Sequence, residues 1–237
     1  MRTLIDRYVI WKRRRDISPE NDTITPIDLP SHSVSENRMI WDTYDWSEGG
    51  EEWTLEAHNS SDPQKWKTTL INEMMLKYIQ NGSTILEIGI GAGRWSKVLQ
   101  EIGGHVILSD ISKKCLDICR KRFKYADNLE YHLIEEDLGF INDNSIDGIW
   151  SYDVFVHINP SDIEKYISDF KRILKPGGYA IIHHSGKYSL EGFRSYMTAE
   201  IFRRFVEKYG MEIIEQNNML PHIRGDIITV FTNADVH

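Results

Sequence analysis

The sequence has little cysteine and no long apolar run. Two cysteines in 237 residues exclude a disulfide framework. Cys115 and Cys119 stand four positions apart on a predicted helix face, a spacing typical of buried packing rather than of a zinc site. No stretch approaches the ~18 apolar residues of a membrane span, and Asp6 and Arg7 interrupt the apolar start that a signal peptide requires. We therefore predict a cytoplasmic protein with reduced thiols and no membrane segment.

Positive charge is scarce as well. Lys and Arg number 28 against 36 Asp and Glu, which gives a formal net charge of -8 and a pI of about 5.6. A field of this sign repels phosphate backbones, so nucleic acid is not expected as a partner. The basic run at 12–15 is the local exception; it could meet an anion, but such a run is more often a solvated face.

The first 62 residues lack the regular periodicity of the remainder. Three prolines punctuate a polar stretch, and a group of tryptophans that includes Trp46 and Trp53 follows among acidic residues. We predict an N-terminal extension over 1–62. Its tryptophans either form a lid in which Trp46 and Trp53 contact a substrate, or build a small hydrophobic core. Composition close to globular averages predicts one folded domain over 63–237.

From Pro63 onward a first helical face, which ends at Asn81-Gly82, is followed by strand-like runs that alternate with amphipathic helices. The predicted strands are 84–88, 106–109, 129–134, 146–151 and 179–183, and the predicted helices between and after them are 94–102, 113–123, 163–174 and 201–209. This alternation predicts an α/β fold with a doubly wound, mostly parallel sheet. Two last runs, 212–215 and 227–231, have no helix between them, so we expect them to pair antiparallel at a sheet edge.

Two helix starts carry capping signals. Ser112 can cap the helix that follows Asp110, and Ser161 with Glu164 fits a capping box just after Pro160.

Glycines at 89, 91 and 93 follow the strand 84–88 and precede a helix. Residues without a Cβ permit a tight turn and bring backbone amides close to a ligand. The spacing differs from the G-x-G-x-x-G of dinucleotide sites, and Glu87 places negative charge where a pyrophosphate would be repelled. The loop therefore indicates a cofactor other than a dinucleotide.

Two further carboxylates follow successive strands. Asp110 ends the second strand, where α/β nucleotide sites hold an acidic residue on ribose hydroxyls. Asp137 follows the third strand, where an adenine amino group can be read. Each alone would more often be a surface residue, but with Glu87 they form a series after a glycine loop, which favours a nucleoside ligand.

Five motifs in this order resemble those of the class I S-adenosylmethionine-dependent methyltransferases. The likeness covers about residues 64–232 and rests on Glu87 to Gly93, Asp110, Asp137-Leu138, Ile146 to Ser151 and Leu174 to Gly178. It implies a Rossmann-like, seven-stranded sheet with one antiparallel strand and S-adenosyl-L-methionine bound at the carboxyl edge, with S-adenosyl-L-homocysteine as product.

The resemblance also implies roles for individual residues. Glu87 and the glycines would contact the methionine part of the donor, Asp110 the ribose, Asp137 with Leu138 the adenine, and Ser151 the donor through its backbone. Arg94 could contact the donor carboxylate, although a surface salt bridge is the simpler reading. The implied cofactor-binding set is Glu87, Gly89, Gly91, Gly93, Arg94, Asp110, Ile111, Asp137, Leu138 and Ser151.

The predicted acceptor is a small polar molecule, most plausibly a hydroxyl of a sugar or related metabolite. A hydroxyl benefits from a general base, and histidine titrates near neutral pH. Strand alternation sends His183 and His184 to opposite faces, and we favour His184 as the base, with His157 as a second catalytic candidate. Asp153 and Arg194 join Trp46 and Trp53 as predicted substrate-binding residues, since Arg194 suits a carboxylate or phosphate.

Several alternatives stay open. Asp153, His157, His183 and His184 could hold a divalent metal, but no tight ligand spacing is present, so no metal is predicted. Transfer to nitrogen or carboxylate is a rival, although the Asn/Asp-Pro-Pro-Tyr signature of nucleobase amine methylation is absent at 151–154. The chain could also be a non-catalytic donor-binding subunit. We expect a monomer or a homodimer.

Overall fold

The computed structural model describes residues 26–52, 63–186, 194–218 and 225–234. The basic run at 12–15, Trp53 and the residues 187–193 and 219–224 lie outside the described residues. The sheet has seven strands in the order β3-β2-β1-β4-β5-β7-β6. Their bounds are β1 Thr84–Ile88, β2 His105–Asp110, β3 Leu129–Leu133, β4 Ile146–Ser151, β5 Leu174–Ser185, β6 Glu212–Asn217 and β7 Asp226–Thr232.

Strands β1 to β5 pair in parallel, whereas β7 runs antiparallel to both β5 and β6. The predicted doubly wound, mostly parallel sheet with one antiparallel strand is therefore confirmed. Strand β5 begins earlier than predicted, because Leu174 pairs with Ile146 at the start of β4 before a register shift that leads to the pair Gly148 and Tyr179.

Helices cover both faces of the sheet. Their bounds are α1 Val34–Thr43, α2 Pro63–Leu70, α3 Ser96–Ile102, α4 Lys113–Arg122, α5 Pro160–Ile173 and α6 Ala199–Lys208. Helix α2 continues through a π-helical turn, Ile71–Met75, and a last turn, Leu76–Tyr78. Within the described stretches, no helix combines the length and the apolar character that crossing a membrane requires.

Two hydrophobic cores lie on the two faces of the sheet. The core under α5 and α6 includes Leu86, Ile149 and Phe202, and the core under α2, α3 and α4 includes Ile85 and Trp150. Strand side chains alternate between faces, so a strand covered on both sides is apolar at nearly every position. This explains why three of the five residues of β1, Ile85, Leu86 and Ile88, are apolar.

The predicted cap at Ser112 is confirmed, since its hydroxyl accepts a hydrogen bond from the Cys115 amide at the start of α4. The capping box at Ser161 is wrong. Helix α5 starts at Pro160 with Asn159 as its N-cap, and no side chain of the helix caps it. The N-terminal segment fixes this start instead: Asp28 accepts from the Ser161 amide over 3.1 Å.

The described part of the N-terminal extension, residues 26–52, lies across the carboxyl ends of the strands. Asn159 exchanges two hydrogen bonds with the backbone of Leu29, of 2.8 and 3.0 Å. Arg38 of α1 donates to the carbonyls that follow β2 and β3, those of Ile111 and Ile134. These bonds place α1 over the edge of the sheet that carries the glycine loop.

Both cysteines are buried on α4, as predicted from their spacing. Burial raises the pKa of each thiol well above its ordinary value. The two side chains thus act as small apolar groups in the core.

Candidate active site

A cavity of about 460 Å³ opens at the carboxyl edge of the sheet. Its walls come from the residues that end or follow β1, β2, β3 and β4 and from the segment 26–52. Its volume falls in the range of about 300–1,000 Å³ that is typical of small-ligand sites. The lining includes Gly89, Gly91, Arg94, Asp110, Ile111, Ile134, Tyr152, Asp153, His157, Tyr166, Arg194, Asn37, Ile40, Trp41, Tyr44 and Trp46.

The glycine loop forms one wall, and the two glycines that line the cavity are required by geometry. Gly89 has φ of +75°, and a Cβ there would lie 2.2 Å from a methyl carbon of Val154. Gly91 has φ of +53°, and a Cβ there would lie 3.0 Å from the ring of Trp46. A side chain at either position would be strained and would displace a neighbour. Gly93 does not line the cavity; its amide closes the turn on the Ile90 carbonyl.

Asp110 ends β2 at the same wall. Its carboxylate accepts hydrogen bonds from the amides of Gly91, over 3.1 Å, and Ser112, over 2.8 Å. The side chain is 5% exposed, and this burial raises its pKa to about 6. The carboxylate is therefore ionised at neutral pH and lines the cavity beside Ile111, as expected of a group that binds ribose.

Glu87 lies beneath the loop rather than in the lining. It is buried, and its Oε2 accepts a hydrogen bond of 2.6 Å from Ser96 at the start of α3. Burial raises its pKa to about 8. The side chain thus lies under the loop and is turned toward α3, and its expected contact with the donor stays a prediction. Ser151 is buried similarly and donates to the Ile88 carbonyl.

Asp137 and Leu138 do not line the cavity. Asp137 is exposed and accepts a hydrogen bond from the amide of Gly139 in its own turn. Leu138 is fully buried in the core under α5. Ile134, which directly follows β3, takes the expected place in the lining together with Ile111. The wall expected to face adenine is therefore apolar. Asp137 follows Ile134 by three positions in a turn and does not reach this wall.

Arg94 lines the cavity at the start of the α3 region. It is 7% exposed, its Nε donates to the Gly50 carbonyl, and its Nη1 lies 3.6 Å from Asp153. Its buried Nη2 has no hydrogen-bond partner among the residues that the structure describes. A buried guanidinium with spare donors fits an anionic ligand group.

His184 is on the far side of β5 from the cavity. Its ring stacks on Phe202 of α6 with centroids 3.9 Å apart, and its nitrogens lie 2.8 Å from the Ser185 carbonyl and 2.7 Å from the Thr229 hydroxyl. Burial lowers its pKa to about 3. The expectation that His184 faces the cleft is therefore corrected: α6 covers that face of the strand.

His183, its neighbour, points to the cavity side. It stacks on Tyr152, 4.2 Å between centroids, and accepts a hydrogen bond at Nδ1 from the Asp153 amide. Its Nε2 lies 3.3 Å from Asp226, which also pairs with Arg194 over 3.0 Å. Burial alone would lower its pKa, but the carboxylates of Asp153 and Asp226 outweigh it, and the pKa is raised.

Asp153, Arg194 and His157, predicted from the sequence, are all in the lining. Asp153 adopts φ of +61°, which turns its side chain toward Arg94 and His183. The His157 carbonyl accepts a hydrogen bond of 2.9 Å from Asn37, and its ring meets Trp41 edge to face at 5.3 Å.

The four residues considered for a metal do not converge, because His184 faces the opposite side of β5 from Asp153 and His183. Across the described ranges, no group of three His, Cys, Asp or Glu side chains is arranged to hold a metal ion.

Trp46 lines the cavity as predicted, while Trp53 lies outside the described residues. Sequence reasoning missed Asn37 and Tyr44 and considered Trp41 only as a member of the tryptophan group, although the spacing of the three contains the signal. With Val34 they recur at i, i+3, i+7 and i+10, which is one face of α1 continued into the next turn.

Part of the chain is similar to known methyltransferases. Residues 85–178 match a family model described as "Methyltransferase domain". A demethylmenaquinone methyltransferase of Tropheryma whipplei (strain Twist) is 33% identical over 119 residues, covering 49% of this chain and 48% of that protein. Phosphoethanolamine N-methyltransferase 2 of Caenorhabditis elegans is 27% identical over 232 residues, covering 92% of this chain and 51% of that protein.

The chain thus spans about half the length of these two curated relatives. Among solved structures, a SAM-dependent methyltransferase from Aquifex aeolicus superposes with a TM-score of 0.56 at 18% identity. The superposition covers 73% of this chain and 98% of that one. At this identity the structural likeness bears on the fold alone.

Proposed function

Since residues 85–178 are a class I S-adenosylmethionine-dependent methyltransferase domain, we propose that this chain moves a methyl group from S-adenosylmethionine to a small molecule bound in the cavity. The observation that carries the proposal is the shared wall of Gly89, Gly91 and Asp110. Exposed loop backbone beside an ionised carboxylate suits an amino-acid-bearing nucleoside.

The residues present fit this donor. Asp110 has the charge and position to accept from ribose hydroxyls, and Ile111 with Ile134 offers an apolar surface for a base. Arg94 has a buried donor to spare for a carboxylate. The donor, when bound, supplies an activated methyl group, so the protein has to align the acceptor, exclude water and manage one proton.

We keep the proposal that the acceptor is a hydroxyl, such as that of a sugar, but assign the general base to His157 in place of His184. His157 lines the cavity and His184 does not, so His157 is the histidine that supports proton removal from a hydroxyl. Asn37 holds the His157 backbone. Asp153 and Arg194 supply polar contacts for an acceptor on the same side.

A second candidate, transfer to an amine, is favoured by one observation. The Asp153 carboxylate shares the cavity with the rings of Trp41, Tyr44 and Trp46, and a carboxylate beside aromatic faces suits an amine. One of the relatives above is named a phosphoethanolamine N-methyltransferase, which supports testing amines alongside hydroxyls.

The test is turnover with methyl-deuterated S-adenosylmethionine against separate panels of sugars, alcohols and small amines. Mass spectrometry would follow S-adenosylhomocysteine and labelled product, and NMR would locate the new methyl on oxygen or nitrogen. We expect labelled product from at least one acceptor, and less of it from Asp110→Asn when the donor is below saturation. Tight donor binding without product from any panel would instead support a non-catalytic donor-binding subunit.

A further inference from the structure

We propose that residues 28–37 of the N-terminal segment position His157 for proton removal, through hydrogen bonds made by Asn37 and Asn159. Both asparagines are positioning residues in this proposal, because each acts on the reaction through His157. The inference rests on the proposed function, in which His157 takes the proton of a hydroxyl acceptor.

The backbone around His157 is bonded to two different parts of the chain. His157 ends a short 3-10 turn between β4 and α5. The Val156 carbonyl accepts a hydrogen bond of 2.7 Å from the Ser195 amide, which ties the turn to the domain. The His157 carbonyl accepts one of 2.9 Å from the side chain of Asn37 on α1. Asn37 is 7% exposed and also donates to the His32 carbonyl, so its side chain is fixed within its own segment.

Asn159, two positions after His157, binds the same segment. Its Oδ1 accepts a hydrogen bond of 2.8 Å from the Leu29 amide, and its Nδ2 donates one of 3.0 Å to the Leu29 carbonyl. Only one orientation of the side-chain amide satisfies both bonds, so the pair fixes the side chain and the register of the segment. Asn159 is 6% exposed, and a buried amide without such partners is costly. Docking of the segment is therefore required on both sides of Ile158.

The start of α5 shows that this docking takes the place of the helix's own cap. Asparagine is favoured at an N-cap, where its side chain accepts from an amide of the first turn. Asn159 occupies that position but, within the described residues, makes no such bond, because its side chain is bonded to Leu29. Asp28 accepts from the Ser161 amide instead, over 3.1 Å. The segment thus completes the helix start that directly follows the His157 turn.

This arrangement couples the position of the segment to catalysis. A general base must lie within hydrogen-bond reach of the proton that it removes, and a misplacement of about 1 Å can lower the rate about 100-fold. Loss of the bonds made by Asn37 or Asn159 should therefore lower kcat. Binding of the donor should be unchanged, because these bonds involve neither Asp110 nor the glycine loop.

The experiment measures kcat and donor affinity for Asn159→Ser, Asn37→Ala and a control, Asn128→Ala, with the acceptor that gives most labelled product in the panels above. Serine at 159 can cap α5 but cannot make both bonds to Leu29, so this variant separates positioning from helix stability. Asn128 donates to two backbone carbonyls, each over 2.9 Å, and does not line the cavity. We expect kcat to fall about 10- to 100-fold in the first two variants and to stay unchanged in the control. The Kd of S-adenosylmethionine should be the same in all three.

The first two substitutions are then repeated in His157→Gln, which shows whether the asparagines act through His157. We expect Asn37→Ala or Asn159→Ser to lower the kcat of His157→Gln by less than about twofold. Equal losses in the two backgrounds, or a normal kcat in the folded single variants, would overturn the inference and leave the bonds as packing of the segment. If a variant does not fold by circular dichroism, Asp28→Ala replaces it, since Asp28 is exposed.

Absence of product from the wild type with every acceptor would contradict the proposed function instead. Hydrogen exchange measured by mass spectrometry then decides the inference without turnover. Amides of residues 155–163 should exchange about tenfold faster in Asn159→Ser and Asn37→Ala than in the wild type and Asn128→Ala. Unchanged exchange over this range would overturn the inference.

Discussion

The Gly91 amide donates a hydrogen bond of 3.1 Å to the Asp110 carboxylate, which joins the glycine loop after β1 to the end of β2. The bond thus holds together, in the ligand-free protein, two residues that are expected to contact S-adenosylmethionine. The carboxylate is buried and ionised at neutral pH, which destabilises the ligand-free protein. Hydrogen bonds from ribose hydroxyls to this carboxylate would offset that cost.

We predict that Asp110→Asn weakens S-adenosylmethionine binding by about 10- to 100-fold, because a charge-assisted hydrogen bond is worth about 1.5–3 kcal/mol. Titration calorimetry measures this. Asp127→Asn changes an exposed aspartate outside the cavity and serves as the matched control. Equal affinities for wild type and Asp110→Asn would contradict the ribose assignment.

The same substitution should stabilise the ligand-free fold at alkaline pH. The pKa of Asp110 is raised from 3.8 to about 6, so its protonated form favours folding below pH 3.8 and this contribution is lost as pH rises through about 6. Above that pH the ionised group disfavours folding by about 3 kcal/mol. Chemical unfolding at pH 8 should show Asp110→Asn more stable than wild type, and at pH 4 the gain should vanish. A gain in stability of the same size at pH 4 and pH 8 would show that the ionisation of Asp110 is not its cause.

Gly89→Ala tests the loop geometry against a control in the same chain. Gly89 and Gly177 both have φ of +75°, but only Gly89 has a neighbour within 4 Å of an added Cβ. Gly177→Ala should therefore lower the free energy of unfolding by the backbone strain alone, about 1–2 kcal/mol. Gly89→Ala should cost more and should be partly rescued by Val154→Ala. Equal costs at the two glycines, measured by urea unfolding, would show that the contact with Val154 does not matter.

The strands were predictable because apolar runs mark them, and their parallel direction followed from the helices that alternate with them. Thr84–Ile88 and Ile146–Ser151 are observed with the predicted bounds. The glycine loop and Asp110 followed from them, since strand ends in a parallel sheet share an edge. Arg94 and Asp153 were predictable as cavity residues for the same reason, because they follow the carboxyl ends of β1 and β4.

Substitutions of His157 and His184 should have different effects, the first on turnover and the second on stability. His157→Gln should lower kcat by about 10²- to 10⁴-fold for a hydroxyl acceptor, the range typical of a lost general base. His184→Ala should instead destabilise the fold by about 3–5 kcal/mol, since it empties an aromatic site packed on Phe202. Rates per folded molecule and thermal unfolding distinguish these effects. A folded His184→Ala protein with normal stability and no turnover would reverse the assignment.

Asp226→Asn should change the pH dependence of stability. The pKa of His183 is raised by Asp153 and Asp226, so its contribution is complete below about 6.5, its unfolded value, and is lost as pH rises through the raised pKa. Removing one carboxylate should flatten that loss. Unfolding free energies of both proteins from pH 6 to 9 give the comparison; parallel profiles would show that Asp226 does not set the pKa of His183.

What the sequence left open has physical causes. Alternation along β5 separates His183 from His184 but does not say which face α6 covers. Asp137 follows β3 by a turn whose direction is set by its bond to Gly139, which residue type alone does not specify. Helix α5 lacks its own capping side chain because Asp28, 133 positions earlier, supplies the contact.

A crystal structure of the complex with S-adenosylhomocysteine tests the central claim most directly. The account predicts the ribose hydroxyls on Asp110, the base against Ile111 and Ile134, and the sulfur in the cavity that His157 and Trp46 line. A ligand bound elsewhere, or a ribose that does not contact Asp110, would contradict it.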